Sequence, residues 1–254
     1  MADNHDLQLA CELVAASQRI AAFTGAGISA ESGVPTFRDS DDALWNKYDT
    51  SVIADIGNFR RDPTLYWEFF AEARYPIMSK AQPNAGHKAL VDMEHAGRLR
   101  WLITQNIDGL HQAAGSSSVI ELHGNTRRIL CLSCGTEHSW DEVYQTLQSI
   151  AVPPCKACGG PIKPDVVFFG ESLPHQALRS AGQAIQGCDL FLAVGSSLVV
   201  YPAAMMPIEA KARGARLIIV NLTPTPHDHQ ADVVLRQPAG QVLPALVKAL
   251  EAAS

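Results

Sequence analysis

The stretch RIAAFTGAGISAESG, residues 19–33, decides the fold class, because it joins an apolar run to a glycine-rich loop. The run at 19–24 predicts a buried strand, and Gly25-Ala26-Gly27 follows it directly. Glycines in this position let the backbone approach a pyrophosphate, and a helix after them would direct its N-terminal amides at the ligand. The third glycine of the dinucleotide pattern is displaced to Gly33, so the loop alone leaves both a nucleotide site and a structural turn open.

Further along the chain, strand-like and helix-like segments alternate. Apolar runs of strand length recur at residues 100–104, 190–194 and 217–221. Segments with helical patterns lie at residues 6–17, 178–186, 203–213 and 241–253. Pro207 is expected to bend the helix in which it lies. Apolar strands that alternate with helices predict an α/β fold with a Rossmann-like parallel sheet that is covered on both faces.

Two regions interrupt this alternation, and we interpret them as insertions that form a smaller lobe. Residues 37–87 are the predicted helical insertion, and residues 126–164, which carry four paired cysteines, are the predicted zinc-binding module. The remaining residues form the predicted Rossmann-like domain, 1–36, 88–125 and 165–254. A cleft between two lobes is a common position for a ligand.

The composition excludes several classes of protein. Of the 254 residues, 47% are hydrophobic and 18% are charged, so the chain has enough apolar side chains to fold around a core. The net charge of −6 argues against a protein that holds nucleic acid by its phosphates, and we expect no sequence-specific nucleic-acid binding. The N-terminal residues lack the pattern of a signal peptide, and no apolar run approaches the length of a membrane span. We therefore expect a soluble, cytoplasmic monomer that does not associate with membranes.

Four of the six cysteines form two Cys-x-x-Cys pairs, Cys131 with Cys134 and Cys155 with Cys158. Two such pairs at this separation are typical of a four-cysteine zinc site, in which the thiolates close a tetrahedron. Gly135 and the pair Gly159-Gly160 follow them, where turns around a metal need positive φ angles. A site with four thiolates has no open position, so we predict one structural zinc ion per chain that takes no part in catalysis.

Two further segments follow predicted strands, at the edge of the sheet where α/β folds bind ligands. Gly195 is followed by Ser196 and Ser197, which offer two hydroxyls to a phosphate or a ribose. Asn221 ends another strand, where its amide is placed to hold a hydroxyl of an adenosine ribose.

Short motifs also occur in a particular order along the chain. They are GVPTFR at 33–38, TQNIDGLH at 104–111, ELHGN at 121–125, FFGE at 168–171, GSSL at 195–198 and NL at 221–222. With the cysteine pairs between the third and the fourth motif, the set closely resembles the sirtuin family over residues 20–235. The resemblance implies an NAD-dependent protein-lysine deacetylase or deacylase that consumes NAD as a co-substrate.

The resemblance also implies which residues contact NAD. Ala26, Phe37 and Arg38 would line the pocket for the nicotinamide ribose and the phosphates, and residues 105–108 would line the nicotinamide side. The full implied set is Gly25, Ala26, Gly27, Ala30, Phe37, Arg38, Gln105, Asn106, Ile107, Asp108, His123, Gly195, Ser196, Ser197, Asn221 and Leu222. The Asp108 carboxylate can accept hydrogen bonds from a carboxamide, although by itself Asp108 would be interpreted as a helix N-cap.

His123 is the predicted general base, with Asn106 and Asp108 as further catalytic residues. An imidazole with a pKa of about 6.5 is largely neutral at neutral pH, as abstraction of a hydroxyl proton requires. By resemblance, the acyl oxygen attacks the ribose as nicotinamide leaves, which gives an alkylimidate, and His123 then activates the neighbouring hydroxyl. The products would be free lysine, nicotinamide and O-acetyl-ADP-ribose. His87 and His111 are interpreted as structural.

The partner that the resemblance implies is an acyl-lysine protein or peptide. It would add a strand between residues 167–170 and residues 197–201, and main-chain pairing of this kind gives affinity with little sequence selectivity. The acyl-lysine stem would pass through a narrow apolar channel. The residues expected to contact the substrate are Val166, Val167, Phe168, Gly170, Leu198 and Val199.

The sequence leaves the preferred acyl group open. Sirtuins that prefer succinyl or malonyl lysine carry a Tyr-x-x-Arg pair in the helical insertion. A gapless count back from the PNAGH motif at 83–87 places Ala71 and Arg74 at these positions. The missing tyrosine favours acetyl or other short acyl groups, whereas Arg74 leaves succinyl, malonyl and longer groups open.

Three other functions fit parts of the sequence. An NAD-dependent dehydrogenase would require the undisplaced glycine pattern. A zinc-ribbon protein that binds nucleic acid or acts as a scaffold would not require His123. An ADP-ribosyltransferase would transfer a label from NAD to protein.

Overall fold

The computed structural model describes residues 2–36 and 47–252. The strands of the described residues are β1 (Ile20–Thr24), β2 (Leu99–Thr104), β3 (Val119–Glu121), β4 (Gly124–Cys131), β5 (Glu137–Ser139), β6 (Ile162–Val166), β7 (Leu190–Val194), β8 (Arg216–Val220) and β9 (Val233–Leu235). Six of them form a parallel sheet in the order β3-β2-β1-β7-β8-β9. Thr24 is level with both Thr104 and Val194, so β1, β2 and β7 end at the same edge of this sheet.

Helices surround this sheet and form much of a second lobe. In chain order they are α1 (Ala2–Ala16), α2 (Thr50–Ile53), α3 (Ile56–Arg61), α4 (Thr64–Phe69), α5 (Tyr75–Met78), α6 (Ala85–His95), α7 (Leu110–Ala114), α8 (Trp140–Leu147), α9 (His175–Gly187), α10 (Met206–Ala212) and α11 (Ala239–Ala252). A π-helical turn, Phe70–Arg74, joins α4 to α5. Over the described ranges, none of these helices is long and apolar enough to cross a membrane.

Both faces of the parallel sheet are covered, as the apolar strands predict. The helices α1, α6 and α11 pack on one face around side chains such as Ile20 and Leu90. The helices α9 and α10 pack on the other face around Phe23 and Phe191. Every residue of β1 and β7 is buried. The predicted α/β class with a Rossmann-like parallel sheet is thereby confirmed.

The structure corrects the sequence-based expectation at three points. The loop after β1 continues as two short 3₁₀ turns, Ala26–Ile28 and Ala30–Ser32, and not as the helix expected there. Pro207 lies in the first turn of α10, where the N–H that proline lacks has no helical partner, so it does not bend the helix. Asn221 follows β8 instead of ending it.

The smaller lobe combines a three-stranded antiparallel sheet, ordered β5-β4-β6, with α8 and the helical segments α2 to α5. Phe59 and Trp67 of the helical insertion share one core with Ile129 of β4 and Trp140 of α8. The domain boundaries predicted at 125/126 and 164/165 fall within β4 and β6.

The two lobes are connected near the predicted base. Leu122 and His123 are the two residues between β3 of the large sheet and β4 of the small sheet. His123 is therefore held at the junction of the two lobes.

Candidate active site

Two loops meet at the edge of the large sheet where β1 and β7 end. The N–H of Gly27 donates to the carbonyl oxygen of Gly195 at 2.8 Å, and a Cβ on Gly27 would lie 2.7 Å from the Cα of Gly195. Gly195 has a φ of +62°, and a Cβ there would lie 2.3 Å from the nitrogen of Ile28. The close approach of the two loops therefore requires these glycines and sets the shape of the predicted phosphate pocket.

Asn106 and Asp108 lie in the loop after β2 and share the hydroxyl of Ser29. This hydroxyl donates to Asp108 Oδ2 at 2.8 Å and accepts from Asn106 Nδ2 at 3.1 Å. Asn106 Nδ2 also donates to the carbonyl oxygen of Gly25 at 3.0 Å. The two predicted side chains are thus tied to the glycine-rich loop, and Ser29 is a site residue that the sequence reasoning missed.

The carboxylate of Asp108 is buried, and it also accepts a hydrogen bond from the N–H of Leu110 at 2.8 Å. Burial raises the pKa of Asp108, while the Leu110 N–H, the Ser29 hydroxyl and the charge of Arg127 act against that rise. Asp108 therefore supports the start of α7 and takes part in the loop cluster as well.

His123 is half-buried, and its Nδ1 lies 3.1 Å from the carbonyl oxygen of Gln105. A carbonyl oxygen can only accept a hydrogen bond, so Nδ1 carries the proton and Nε2 keeps its lone pair. Burial lowers the pKa of His123, and the bond to Gln105 acts against this shift. The imidazole is therefore neutral at neutral pH, which is the state that a general base requires.

Gln105 connects the base to the loop after β7. Its backbone oxygen orients His123, and its side-chain Nε2 donates to Ser196 Oγ at 2.8 Å. The structure thus brings together at one edge the predicted residues of the loops after β1, β2 and β7. The imidazole, carboxylate, amides and hydroxyls gathered here fit a ligand that carries a carboxamide and ribose hydroxyls.

His87 and His111 lie behind this cluster, in the core. Ser29 Oγ is 3.4 Å from His87 Nε2, and Thr24 Oγ1 is 2.9 Å from His111 Nε2. Burial lowers the pKa of His87 to about 4 and, together with the neighbouring His87, the pKa of His111 to about 3. Both rings are neutral at neutral pH, in accord with a structural role.

The two segments predicted to hold the peptide carry exposed apolar side chains. Phe169 is 59% exposed and Tyr201 is 63% exposed, whereas Phe168 and Leu198 are buried. The N–H of Val167 donates to the carbonyl oxygen of His123 at 3.0 Å, so the first segment lies directly beside the predicted base. Exposed apolar groups on both segments form a surface suited to an extended peptide.

An ion pair between a buried lysine and a half-buried glutamate supports the first of these segments. Lys163 Nζ lies 2.9 Å from Glu171 Oε2 and donates to the carbonyl oxygen of Val166 at 2.6 Å. The same carboxylate oxygen accepts from the N–H of Phe168 at 2.9 Å, and the ammonium lies 4.3 Å from the centre of the Phe168 ring. The sequence reasoning missed this pair, whose signal is a lysine that directly follows the buried Ile162 in a short strand.

On the predicted adenosine side, Asn221 is engaged within its own loop. Its Nδ2 donates to the carbonyl oxygen of Thr223 at 2.7 Å, and Arg236 Nη1 donates to the carbonyl oxygen of Asn221 at 2.9 Å. Leu222 is exposed. Glu31 accepts from the N–H of Gly240 at 3.0 Å, which links the glycine-rich loop to α11 by a contact that the sequence reasoning missed.

The four paired cysteines come together in the small lobe, with all four sulfurs within 4.8 Å of one another. The Cys131 and Cys158 sulfurs are 3.5 Å apart, and the Cys134 and Cys155 sulfurs are 3.7 Å apart. A tetrahedral zinc site with Zn–S bonds of about 2.3 Å requires sulfur separations of about 3.8 Å. The cluster therefore has the dimensions of the predicted structural zinc site.

The surroundings of the cysteines fit a metal site as well. Gly135 and Gly159 have φ angles of +73° and +74°, as expected, whereas Gly160 does not have a positive φ. Instead, a Cβ on Gly160 would lie 3.2 Å from Cys158 Sγ. His138 Nε2 lies 3.3 Å from Cys155 Sγ, a contact of the kind that orients a ligating thiolate and one that the sequence reasoning missed.

Arg74 lies in the π-helical turn and is buried. Its guanidinium carbon is 5.0 Å from the centre of the Phe69 ring, and its Nε has no hydrogen-bond partner among the described residues. The hydroxyls of Tyr66 and Thr126 are also buried and also have no hydrogen-bond partner among the described residues. Ala71, at the other position of the predicted acyl-binding pair, is half-buried in the same turn.

Two predicted NAD contacts, Phe37 and Arg38, lie outside the described residues.

The chain is similar to known proteins over nearly its whole length. A model of the Sir2 family matches residues 25–202. The NAD-dependent protein deacylase 2 of Archaeoglobus fulgidus is 46% identical over 244 residues, which are 96% of this chain and 95% of that protein. The NAD-dependent protein deacetylase of Sulfurisphaera tokodaii is 46% identical over 236 residues, which are 93% of this chain and 92% of that protein.

A solved structure shows the same fold with reaction products. It is a Sir2 variant with a deacetylated p53 peptide and 3′-O-acetyl-ADP-ribose. The match has a TM-score of 0.89 at 38% identity and covers 95% of this chain and 97% of that one.

Proposed function

The chain belongs to the Sir2 family and catalyses NAD-dependent deacetylation of lysine side chains in proteins, and we propose that His123 is the general base of this reaction. The products are deacetylated lysine, nicotinamide and O-acetyl-ADP-ribose. NAD is a co-substrate, and the four-cysteine cluster is a structural metal site of the zinc type.

The observation that carries the proposal is the orientation of His123. Its Nδ1 is committed to the carbonyl oxygen of Gln105, so Nε2 is the basic nitrogen. The peptide-side segment, residues 167–170, and the nicotinamide-side loop, residues 105–108, both contact His123. The N–H of Val167 bonds to its backbone, and the carbonyl oxygen of Gln105 bonds to its ring. A base between these two segments is placed to serve both substrates.

Each neighbouring group has a specific task in this scheme. NAD, when bound, supplies the ribose that accepts the acyl group. Asp108, fixed by Ser29 and Leu110, accepts hydrogen bonds from the carboxamide, and Asn106, fixed by Gly25 and Ser29, holds a ribose hydroxyl or a water molecule. His123 Nε2 accepts the proton of a ribose hydroxyl, and the Gln105 carbonyl oxygen stabilises the imidazolium that results.

We place the acyl-lysine peptide along residues 167–170 and 197–201. The exposed Phe169 and Tyr201 side chains and the contact of Val167 with His123 support this placement. The buried Phe168 is placed to line the channel for the lysine stem.

We propose acetyl as the preferred acyl group, with Arg74 as the residue that governs acceptance of acyl groups bearing a carboxylate. Among residues 2–36 and 47–252, no carboxylate lies within ion-pair distance of Arg74. A buried guanidinium left in this way is costly, and burial lowers its pKa. An acyl carboxylate that reached Arg74 would relieve this cost. The missing tyrosine at Ala71 favours acetyl, so deacetylation should exceed desuccinylation.

The test is mass spectrometry of reactions that contain NAD and a matched set of acetyl, succinyl and longer acyl peptides. We expect free nicotinamide and O-acetyl-ADP-ribose with the acetyl peptide. Arg74→Met should abolish any desuccinylation while deacetylation continues. Formation of NADH, or transfer of label from NAD to protein, would contradict the proposed reaction.

We also propose that the chain acts as a monomer in the cytoplasm, without sequence-specific binding of nucleic acid. The negative net charge and the reduced state that a four-thiolate metal site requires support this proposal. Light scattering of the purified protein tests the oligomeric state.

A further inference from the structure

Strand β4 has an irregularity beside the predicted nicotinamide loop. It pairs with β6 at Gly124 and Asn125 and again from Ile129, and the register shifts between these positions. Residues 126–128 are therefore released from pairing with β6. The N–H of Thr126 donates instead to the carbonyl oxygen of Ile107 at 2.9 Å, so this part of β4 lies against the loop after β2.

Arg127, in the released segment, joins three parts of the molecule. Its Nε donates to the carbonyl oxygen of Asp108 at 3.0 Å, and its Nη2 donates to the carbonyl oxygen of Met78 at the end of α5 at 3.3 Å. Its guanidinium carbon lies 4.8 Å from the centre of the Trp140 ring, at the start of α8. One side chain thus connects the nicotinamide-side loop with the helical part and the metal-binding part of the small lobe.

The loop is shaped to accept this side chain. Gly109 has a φ of +73°, and a Cβ there would lie 3.1 Å from both Cδ and Nε of Arg127. A residue with a side chain at position 109 would therefore have a strained backbone, and its Cβ would contact the side chain of Arg127 too closely.

The charge of Arg127 is not neutralised by an ion pair. Within residues 2–36 and 47–252, no carboxylate lies within ion-pair distance of it, whereas the neighbouring Arg128 pairs with Glu121 and Asp165. The buried carboxylate of Asp108 belongs to the same residue whose backbone Arg127 holds. A cation in this position favours the ionised form of Asp108.

We propose that Arg127 is a positioning residue for Asp108: it holds the nicotinamide-side loop, residues 105–108, against the helical part and the metal-binding part of the small lobe. The proposal rests on the proposed role of Asp108 in holding the carboxamide of nicotinamide. Through Arg127, the packing of the small lobe would directly affect the loop that is proposed to bind nicotinamide.

The test compares Arg127→Met, which keeps a stem against Trp140, with Arg127→Lys, which keeps the charge. We expect Arg127→Met to raise the inhibition constant of nicotinamide about tenfold, as loss of a charged hydrogen bond does, with the KM of the acetyl peptide changed less than twofold. Arg127→Lys should restore much of the nicotinamide inhibition. Arg100→Met is the matched control, because it removes one exposed positive charge near the opposite end of β2.

A pH series separates positioning from a general loss of structure. The carboxamide requires ionised Asp108, and loss of the Arg127 charge removes an influence that opposes the rise of the Asp108 pKa. The pH below which nicotinamide inhibition weakens should therefore move upward in Arg127→Met and not in Arg127→Lys. Two other titratable groups are linked to Asp108. His87 contacts Ser29, and His111 contacts His87; their pKa values are about 4 and about 3, so both stay neutral above pH 5.

Three outcomes decide the matter, with Asp108→Asn measured in parallel. Weakened nicotinamide inhibition in Arg127→Met, with the pH shift and with rescue by lysine, supports the proposal. If nicotinamide inhibits Arg127→Met normally but inhibits Asp108→Asn only weakly, the role of Arg127 is overturned and the proposed function stays intact. Normal inhibition in Asp108→Asn removes the role of Asp108 itself, and the inference fails together with that role.

Discussion

At the scale of the residue, His123 owes its tautomer to the carbonyl oxygen of Gln105. A backbone oxygen does not titrate, so this acceptor is present at every working pH. Burial disfavours the charged imidazole, so the ring readily gives up a proton that it has accepted and returns to the neutral form. These two features suit Nε2 to the proposed role of general base.

Replacement of this base defines the first prediction. His123→Ala should lower deacetylation by about 10²–10⁴-fold, the usual contribution of a positioned general base. The fold should persist, because the side chain makes one hydrogen bond to the backbone of Gln105. Turnover is measured by release of nicotinamide with acetyl peptide, and thermal melting is the control. Near-normal turnover would remove His123 from the mechanism.

The pH dependence follows from the same burial. Because the pKa of His123 lies below its ordinary value of about 6.5, the base is neutral above that pH, and activity should fall only below it. His87 and His111 are also held neutral, so their contribution to stability is present above their unfolded-state pKa of about 6.5 and is lost as pH falls from there through their folded-state pKa values of about 4 and about 3. Circular dichroism at each pH distinguishes protonation of the base from unfolding. An acid limb of kcat centred above pH 6.5 would contradict the assignment.

The residues that could be predicted are those that lie in local motifs. His123, Asn106 and Asp108 stand within short runs of sequence that carry their own chemistry. Ser29 could not be predicted in this way, since its contact with Asp108 joins positions 79 apart. Arg127 was equally hidden, because its role depends on an irregularity in β4 that no periodic pattern reveals.

At the scale of the element, the glycine-rich loop shows why the expected helix did not form. The N–H groups of Gly25 and Gly27 bond to the carbonyl oxygens of Val194 and Gly195, which draws the loop across the end of β7. The N–H groups of Ile28 and Ser29 then bond to the carbonyl oxygens three residues before them, those of Gly25 and Ala26, so the chain continues as a 3₁₀ turn. The strand before the loop could be predicted from its apolar run, whereas this cross-strand bonding could not.

The pair of Lys163 and Glu171 yields a prediction for the peptide segment. Lys163→Met should raise the KM of the acetyl peptide about fivefold, a change of about 1 kcal/mol. The reason is that Glu171, which accepts the N–H of Phe168, loses its ion pair with Lys163. The KM of NAD should stay unchanged, since the pair lies on the peptide side.

Glu171→Gln serves as the matched variant for this prediction, and the double variant should cost less than the sum of the two single changes. An equal change in both KM values would indicate a general loss of structure instead of a local brace.

At the scale of the whole molecule, the large sheet could be predicted and the small lobe only in part. Strands β1, β2, β7 and β8 each contain a mostly apolar run and stand out from their surroundings, whereas β3 and β9 have three residues each, too few to show a period. The small lobe draws its core from two insertions that are separate in sequence, and Phe59 and Ile129 meet there. Such long-range packing leaves no local pattern.

The metal site connects the stability of the small lobe to substrate binding. Cys131 and Cys155 belong to the same core as Tyr66 and Phe168. Metal binding in sites of this kind contributes on the order of 10–16 kcal/mol, about as much as the whole stability of a domain, 5–15 kcal/mol. Cys131→Ser or a strong chelator should therefore unfold the small lobe and abolish peptide binding.

Hydrogen exchange measured by mass spectrometry checks this prediction. Residues 124–166 should lose protection on removal of the metal, while β1, β7 and β8 keep theirs. A metal-free protein that stays folded and deacetylates at the normal rate would refute the structural assignment of the cysteines.

Leu122 and His123 form a two-residue bridge from β3 to β4, and this position affects how the cleft can open. In a rigid rotation, displacement grows with distance from the axis, so atoms at a crossing point travel least. We expect the imidazole to remain near its working position while the outer rims, Phe169 and Tyr201, swing apart to release products. His123 would then lie at the pivot, and opening of the cleft would leave the orientation of its imidazole unchanged.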